Sequence, residues 1–209
     1  MATTKSKLGR PRDSSSDETR ARILDAARKC FAELGYEGAT NKHLASAAGL
    51  TTGAIYHYYG SKKELYCDVQ EAVQAIVYER FAMATEAAGD SFADKIAAVL
   101  DTAVELNCED PTLAAFLVTV RTDIPRHDEL RKEARLRPVV REQFFGEMVR
   151  LGIETGELDP ADEQAAFDVI SALMMGLTSA SSGDPVVHER TVDGVKRLVL
   201  GTFVRQPRG

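Results

Sequence analysis

Only three cysteines occur in the 209 residues, Cys30, Cys67 and Cys108, and no two stand in a Cys-x-x-Cys pair. An odd, scattered set in helix-like apolar surroundings argues against a disulfide framework or a cysteine metal site, and predicts reduced, mostly buried thiols. Long apolar runs are missing as well. The longest charge-free stretches are His43–Ser61 and Val169–Gly183. Glycines, threonines and histidines break the first, and the second falls short of the ~18–20 apolar residues that cross a bilayer, so no membrane span is expected. Met1 to Ser16 is basic and Ser-rich without an apolar centre, which does not read as a secretory signal and predicts a cytoplasmic protein. The histidines at 43, 57, 127 and 188 form no His-x-x-His or Glu-x-x-His pair. Gly-x-x-x-x-Gly-Lys-Ser/Thr, Gly-x-Gly-x-x-Gly and Gly-x-Ser-x-Gly are all absent. Neither an enzyme nor a metal or cofactor site is expected. Helix capping explains Asp184-Pro-Val-Val-His188 and His127-Asp128, the nearest things to a metal pair.

What is present is helical. Apolar residues recur at the 3.6-residue period, and no β-branched run alternates long enough for a convincing strand, so the fold class is all-α. With 44% apolar and 28% charged residues the chain can bury a substantial core. The formal charge of −6 is unevenly spread: residues 1–62 hold 10 basic and 6 acidic side chains, and residues 63–209 hold 16 and 26. A small basic module facing an anion such as nucleic acid therefore precedes an acidic body. The division expected is a flexible basic arm over 1–16, a small basic module over 17–62 and an acidic body over 63–209.

Stop and start signals locate the helices. Ser15 and Glu18 form a capping-box pattern before a helix carrying Ile23, Ala27, Phe31 and Leu34 on one face, ended by Gly35. Thr40 caps a short helix, Gly49 turns the chain, Thr51 or Thr52 opens a second short helix to Tyr59, and Ser61-Lys62-Lys63-Glu64 opens a fourth towards Ala88. Asp110-Pro111, Asp159-Pro160 and Asp184-Pro185 each place an N-cap carboxylate before a proline at the first helical position. They predict helices near 91–107, 111–122, 127–155, 160–181 and 185–204, with Pro138 interrupting the longest.

Two short helices joined by a tight glycine turn have the form of a helix-turn-helix, whose second helix enters the major groove. That helix offers Thr52, Gly53, Ala54, Tyr56, His57 and Tyr58, all small, hydrogen-bonding or aromatic, with no carboxylate to repel phosphate. Lys42, Lys62 and the arm Lys5, Lys7, Arg10 and Arg12 supply positive charge, while Leu44, Ile55 and Tyr59 can face Phe31 and Leu34 as core. His43 reads as a solvated surface residue.

Thr40-Asn41-Lys42-His43-Leu44-Ala45, Ala48-Gly49-Leu50-Thr51-Thr52-Gly53-Ala54-Ile55-Tyr56-His57-Tyr58-Tyr59 and Ser61-Lys62-Lys63-Glu64-Leu65 together resemble the N-terminal signature of TetR-type bacterial transcriptional regulators. The match is specific over about residues 18–66. Beyond it only the general outline is shared, including Gly152-x-x-x-Gly156-Glu157-Leu158 before the last two helices. The resemblance implies a homodimer of nine-helix subunits that binds a palindromic double-stranded DNA operator and is released from it by a small ligand. Carried over by position, Lys42, Thr52, Gly53, Ala54 and His57 would face base edges, and Thr40, Asn41, Tyr56, Tyr58 and Lys62 would hold phosphates. The family usually has His-Phe where Tyr58-Tyr59 stand, so a phenol replaces a phosphate-contacting imidazole.

In the acidic body, the last two helices are apolar over more than one face, which predicts a dimer interface at Phe167, Ile170, Leu173, Leu177, Ala180, Leu198 and Phe203. The middle helices would then enclose an apolar or amphipathic ligand among Phe92, Leu100, Ala103, Val104, Phe116, Leu117, Val120, Phe144, Phe145, Met148 and Met174. Asn107, Arg121 and Asp123 are candidate polar anchors, or else helix-end or surface residues. The alternative is an architectural or constitutive DNA-binding helical protein without a ligand.

Overall fold

The computed structural model describes residues 12–134, 140–180 and 185–202. Lys5, Lys7 and Arg10, Pro138, Asp184 and Phe203 lie outside these residues, as do the side chains of Arg12 and Ser15. Ten α-helices and no strand occur among the described residues: α1 (Arg12–Gly38), α2 (Asn41–Ala48), α3 (Thr52–Tyr58), α4 (Lys62–Ala87), α5 (Phe92–Glu109), α6 (Pro111–Arg126), α7 (Asp128–Ala134), α8 (Val140–Glu154), α9 (Glu163–Ala180) and α10 (Pro185–Thr202). A 3-10 turn, Pro160–Asp162, leads into α9. All-α holds, and the tenth helix arises because the stretch expected over 127–155 is described as two helices, α7 and α8. None of them is long and apolar enough to cross a membrane.

Local chemistry sets the helix ends. The Thr51, Ser61, Asp110 and Asp159 side chains accept from the backbone N–H groups of Ala54, Glu64, Thr112 and Ala161, offsetting donors that a helix start leaves unpaired. At the Ser61 start the Glu64 carboxylate answers the N–H of Gly60 at 2.9 Å, one residue before the cap. α1 begins at Arg12, three residues ahead of the cap expected at Ser15, and is broken at Gly35, whose φ of +67° only glycine adopts without strain. Beyond α8 the chain doubles back: the N–H groups of Glu157 and Leu158 both donate to the Gly152 carbonyl, at 2.9 and 2.8 Å. This turn aims the Glu157 carboxylate at the start of α5, where it accepts from the N–H groups of Phe92 and Ala93 at 2.7 and 3.1 Å. A Cβ on Gly152 would stand 2.7 Å from Leu158, so the close approach requires glycine.

α1, α2 and α3 form the N-terminal module, and α1 also packs along α4 and α6 of the body. Phe31 belongs to that junction. Its ring lies 4.8 Å from Tyr66 of α4 and 6.4 Å from Phe116 of α6, while Tyr66 lies 5.1 Å from Tyr36 and 5.3 Å from Phe116. Phe116, expected in the ligand site, is therefore fully buried at the junction. Leu34, expected on the core face of α1, is 41% exposed, because the buried stripe passes through Cys30, Phe31 and Tyr36 instead.

One buried carboxylate completes the junction. Asp123 Oδ2 accepts from the Tyr36 backbone N–H at 2.8 Å and from the Tyr66 hydroxyl at 3.0 Å. Asp123 is thus neither a surface residue nor a ligand anchor. At the other end of α6, the N-cap Asp110 pairs with the buried Arg28 at 2.6 Å. Asp123→Ala would leave two buried donors unmatched, a loss of about 2–4 kcal/mol, whereas Asp123→Asn keeps an acceptor and should lose about half as much. Urea unfolding midpoints check this ranking, and equal midpoints for the two variants would contradict it.

Candidate nucleic-acid interface and ligand cavity

α2 and α3 are joined by Gly49, Leu50 and Thr51. Gly49 closes α2 at φ +64°, its N–H donating to the Ser46 carbonyl at 3.1 Å, and the Leu50 N–H donates to the Ala45 carbonyl at 2.9 Å. Leu44, Ile55 and Tyr59 are buried, as expected, and α3 packs on α2. Arg20 of α1 lies 5.0 Å over the Tyr59 ring. Thr40, Lys42, Thr52, Gly53, Tyr56 and His57 are exposed, and Asn41, Ala54 and Tyr58 are half-buried. The Asn41 amide donates to the Tyr56 hydroxyl, tying the start of α2 to α3. The rings of His57 and Tyr58 meet edge to face at 5.5 Å. No carboxylate occurs between Glu37 and Glu64, so nothing acidic in this stretch opposes a polyanion.

Two residues differ from their expected roles. His43 is exposed but not simply solvated: its N–H donates to Thr40 Oγ1 at 3.2 Å while its ring Nδ1 accepts from the Thr40 N–H at 3.4 Å, a complete capping box. The signal was legible in the Thr-x-x-His spacing, since imidazole supplies the acceptor usually provided by Glu. Lys62, carried over as a phosphate holder, is half-buried instead. Its ammonium donates to the Tyr36 carbonyl at 2.8 Å and sits 4.4 Å over the Tyr36 ring, so it fastens α4 to the end of α1.

The body holds a cavity of about 330 Å³, within the lower range for small-molecule sites. Ala103, Leu117, Val120, Phe145 and Met174 line it, as expected. Phe92, Leu100, Val104, Phe116, Phe144 and Met148 do not. Phe92 packs at the Gly152 turn; Phe144 stacks with Tyr78 and Phe81 at 5.5 and 6.0 Å; Leu100 and Met148 are buried in the core. Apolar periodicity marks which side of a helix is buried, but not whether the neighbour is another side chain or a void.

α4 adds Gln70, Gln74, Val77, Tyr78 and Phe81 to the wall, further polar groups come from Asn107, Arg121, Arg141, Glu142, Thr178 and His188, and Leu106, Leu113, Ala114 and Met175 fill the apolar remainder beside Leu177. Asn107 and Arg121 had been singled out; the α4 residues, the Arg141-Glu142 pair and His188 had not. His188 is 1% exposed and so is part of the cavity wall instead of a cap. Burial pushes the Tyr78 hydroxyl up and the His188 imidazole down, leaving both uncharged near neutral pH. Ile170 and Leu177, expected at a dimer interface, are buried within the subunit, and Leu177 lines the cavity. Ala172, Gly176 and Ser179 of α9 and Val187, Gly194 and Leu198 of α10 are exposed, Leu198 by 58%. Phe167, Leu173 and Ala180 are half-buried. Of the thiols, Cys30 and Cys67 are buried and Cys108 is exposed, all three free.

Comparison with known proteins places this geometry. The family model for bacterial regulatory proteins of the tetR family matches residues 23–69. The HTH-type transcriptional repressor AcnR of Corynebacterium efficiens is 52% identical over 48 residues, 23% of this chain and 26% of that protein. The matched stretch thus spans about a quarter of the repressor's length. The HTH-type transcriptional regulator UidR of Escherichia coli is 26% identical over 160 residues, 77% of this chain and 78% of its own. A solved TetR transcriptional regulator from Chloroflexus aurantiacus superimposes with a TM-score of 0.75 at 25% identity, covering 92% of this chain and 98% of that one.

The buried, uncharged His188 generates a pH prediction. Its folded pKa is depressed, so below about pH 6.5 the unfolded chain binds the proton first and stability falls with pH, with no such loss above that value. His188→Gln should flatten the acid limb of stability below about pH 6.5. A limb of unchanged slope in denaturant unfolding across pH 5–7 would show that His188 does not contribute to it.

Proposed function

Taking as premise that the chain belongs to the tetR family of bacterial regulatory proteins, we propose that it is a cytoplasmic, homodimeric, ligand-responsive DNA-binding transcriptional regulator, a repressor released from a palindromic operator by a small effector. The observation that carries this reading is the pairing of an exposed, carboxylate-free α2–α3 surface with a cavity in the body, the two joined through α1 and α6. In this reading Lys42, Thr52, Gly53, Ala54 and His57 read base edges, and Thr40, Asn41, Tyr56 and Tyr58 position the module on phosphates. Lys62 acts indirectly, by holding the end of α1.

Two copies associate through α9 and α10. Ala172, Gly176 and Ser179 let helices approach closely, and Val187 and Leu198 offer exposed apolar surface that a partner would bury. Ile170 and Leu177 have no part in this contact. Two-fold symmetry then sets two α3 helices on one palindrome, with half-sites about 34–36 Å apart or a multiple of that spacing.

Binding-site selection on random DNA should return a palindrome. Lys42→Ala and His57→Ala should each change the preferred bases within a half-site at about 1–3 kcal/mol per position. Identical motifs for the parent and both variants would reject the base-facing roles. Leu198→Glu should yield monomers in sedimentation and lose operator affinity, because the charge would be buried in the contact; an unchanged dimer mass would move the interface elsewhere.

A further inference from the structure

The polar wall of the cavity carries more unmet hydrogen-bonding capacity than a folded interior normally tolerates. Gln70 Oε1, Asn107 Oδ1, Glu142 Oε2 and Arg141 Nε are all buried atoms without a partner, contributed by α4, α5 and α8. Asn107 is the most telling. It is 7% exposed as a residue, it lines the cavity, and its amide oxygen meets nothing. Left dry, such atoms forfeit their solvation, so their placement points to a ligand that completes them.

Charge narrows the class of that ligand. Arg141 bonds Glu142 beside it, so the pair presents no net charge to the cavity while each member keeps one free atom, a donor on Arg141 and an acceptor on Glu142. Arg121 is exposed and turned to α9, donating to the Met175 carbonyl at 2.9 Å and to Ser179 Oγ at 3.1 Å. An anionic head would meet the free oxygen of Glu142, and a cationic head would meet the guanidinium of Arg141. Either would surrender its water for a site whose own charges are already matched. Gln70 and Asn107 are neutral groups that both donate and accept, and so are the uncharged Tyr78 and His188. Apart from Gln74 and Thr178 the rest of the wall is apolar, with Phe81 and Phe145 providing aromatic faces.

We propose that the cavity selects an uncharged amphipathic molecule, an apolar or aromatic body bearing a carboxamide- or hydroxyl-type head that donates to one or two of the free oxygens of Gln70, Asn107 and Glu142 and accepts from Arg141. This rests on the ligand-responsive reading above and deepens it by naming the chemical class of the effector.

Three probes of nearly equal size and different head charge test the proposal: 4-phenylbutanamide, 4-phenylbutylamine and 4-phenylbutanoate, titrated calorimetrically into the full-length protein near pH 7.5. The amide should bind about tenfold or more tighter than either ion, the scale of one or two matched hydrogen bonds. Asn107→Leu should erase most of that advantage. Glu142→Gln, which leaves the Arg141 charge unpaired, should shift preference towards the carboxylate; circular dichroism melting shows that each variant is folded. If either ion binds the parent tightest, the uncharged class is overturned while a ligand-responsive cavity stands. If none of the three binds, the cavity as a ligand site is overturned, and the ligand-responsive reading falls with it. A preference for the amide that survives both substitutions would overturn the assignment of these side chains.

Discussion

The arrangement depends on one buried carboxylate. Asp123 sits where α1, α4 and α6 converge, and its Oδ2 is shared by the Tyr36 backbone N–H and the Tyr66 hydroxyl. A polar group in such a place must be hydrogen-bonded, since removing it from water without partners would be costly, and these two donors meet that need. Tyr36 is fully committed there. Its N–H goes to Asp123, its carbonyl accepts from Lys62, its hydroxyl donates to Glu129 at 2.6 Å, and its ring stacks edge-on with His127 at 5.0 Å. Gly35 makes this geometry reachable by turning the chain at positive φ just before Tyr36. α2 and α3 therefore start from a corner fixed by the body, and the exposed α3 surface inherits its orientation from it.

Local signals in the sequence were read well, and choices among distant partners were not. Thr40, Ser61 and Asp110 cap the helices they were expected to cap, Thr51 is the cap of the two candidates Thr51 and Thr52, and Asp159 caps the 3-10 turn that leads into α9, because a cap is settled within three residues of chain. The buried positions Leu44, Ile55 and Tyr59 were legible for the same reason, since apolar periodicity on two short helices leaves one face to bury. Phe116, Leu177 and Lys62 were misplaced. Each lies on the expected side of its helix or at the expected end, but its neighbour is chosen by tertiary packing: Phe31 and Tyr66 for Phe116, the cavity for Leu177, Tyr36 for Lys62. Asp123 was noticed as a polar residue near a helix end without its partners. A glycine stop followed at once by an aromatic residue was the available hint, and it named no acceptor 87 residues away.

α6 joins the two halves of the proposed function. Leu113, Leu117 and Val120 form one stripe, spaced four and three residues apart, along the cavity wall. Phe116 and Asp123, seven residues apart, form the neighbouring stripe and hold the aromatic junction and Tyr36. Occupying the cavity differently in two arrangements of α6 therefore changes the same helix that grips α1. The magnitudes are compatible. Coupling between an effector site and a DNA site is typically about 1–3 kcal/mol, and one net hydrogen bond in a protein interior is worth about 1 kcal/mol, or more where a charged group takes part. Loosening one or both of the bonds at Asp123 is thus enough to supply the coupling. The module can then shift without any helix unfolding, because close-packed junctions move between discrete arrangements instead of deforming continuously.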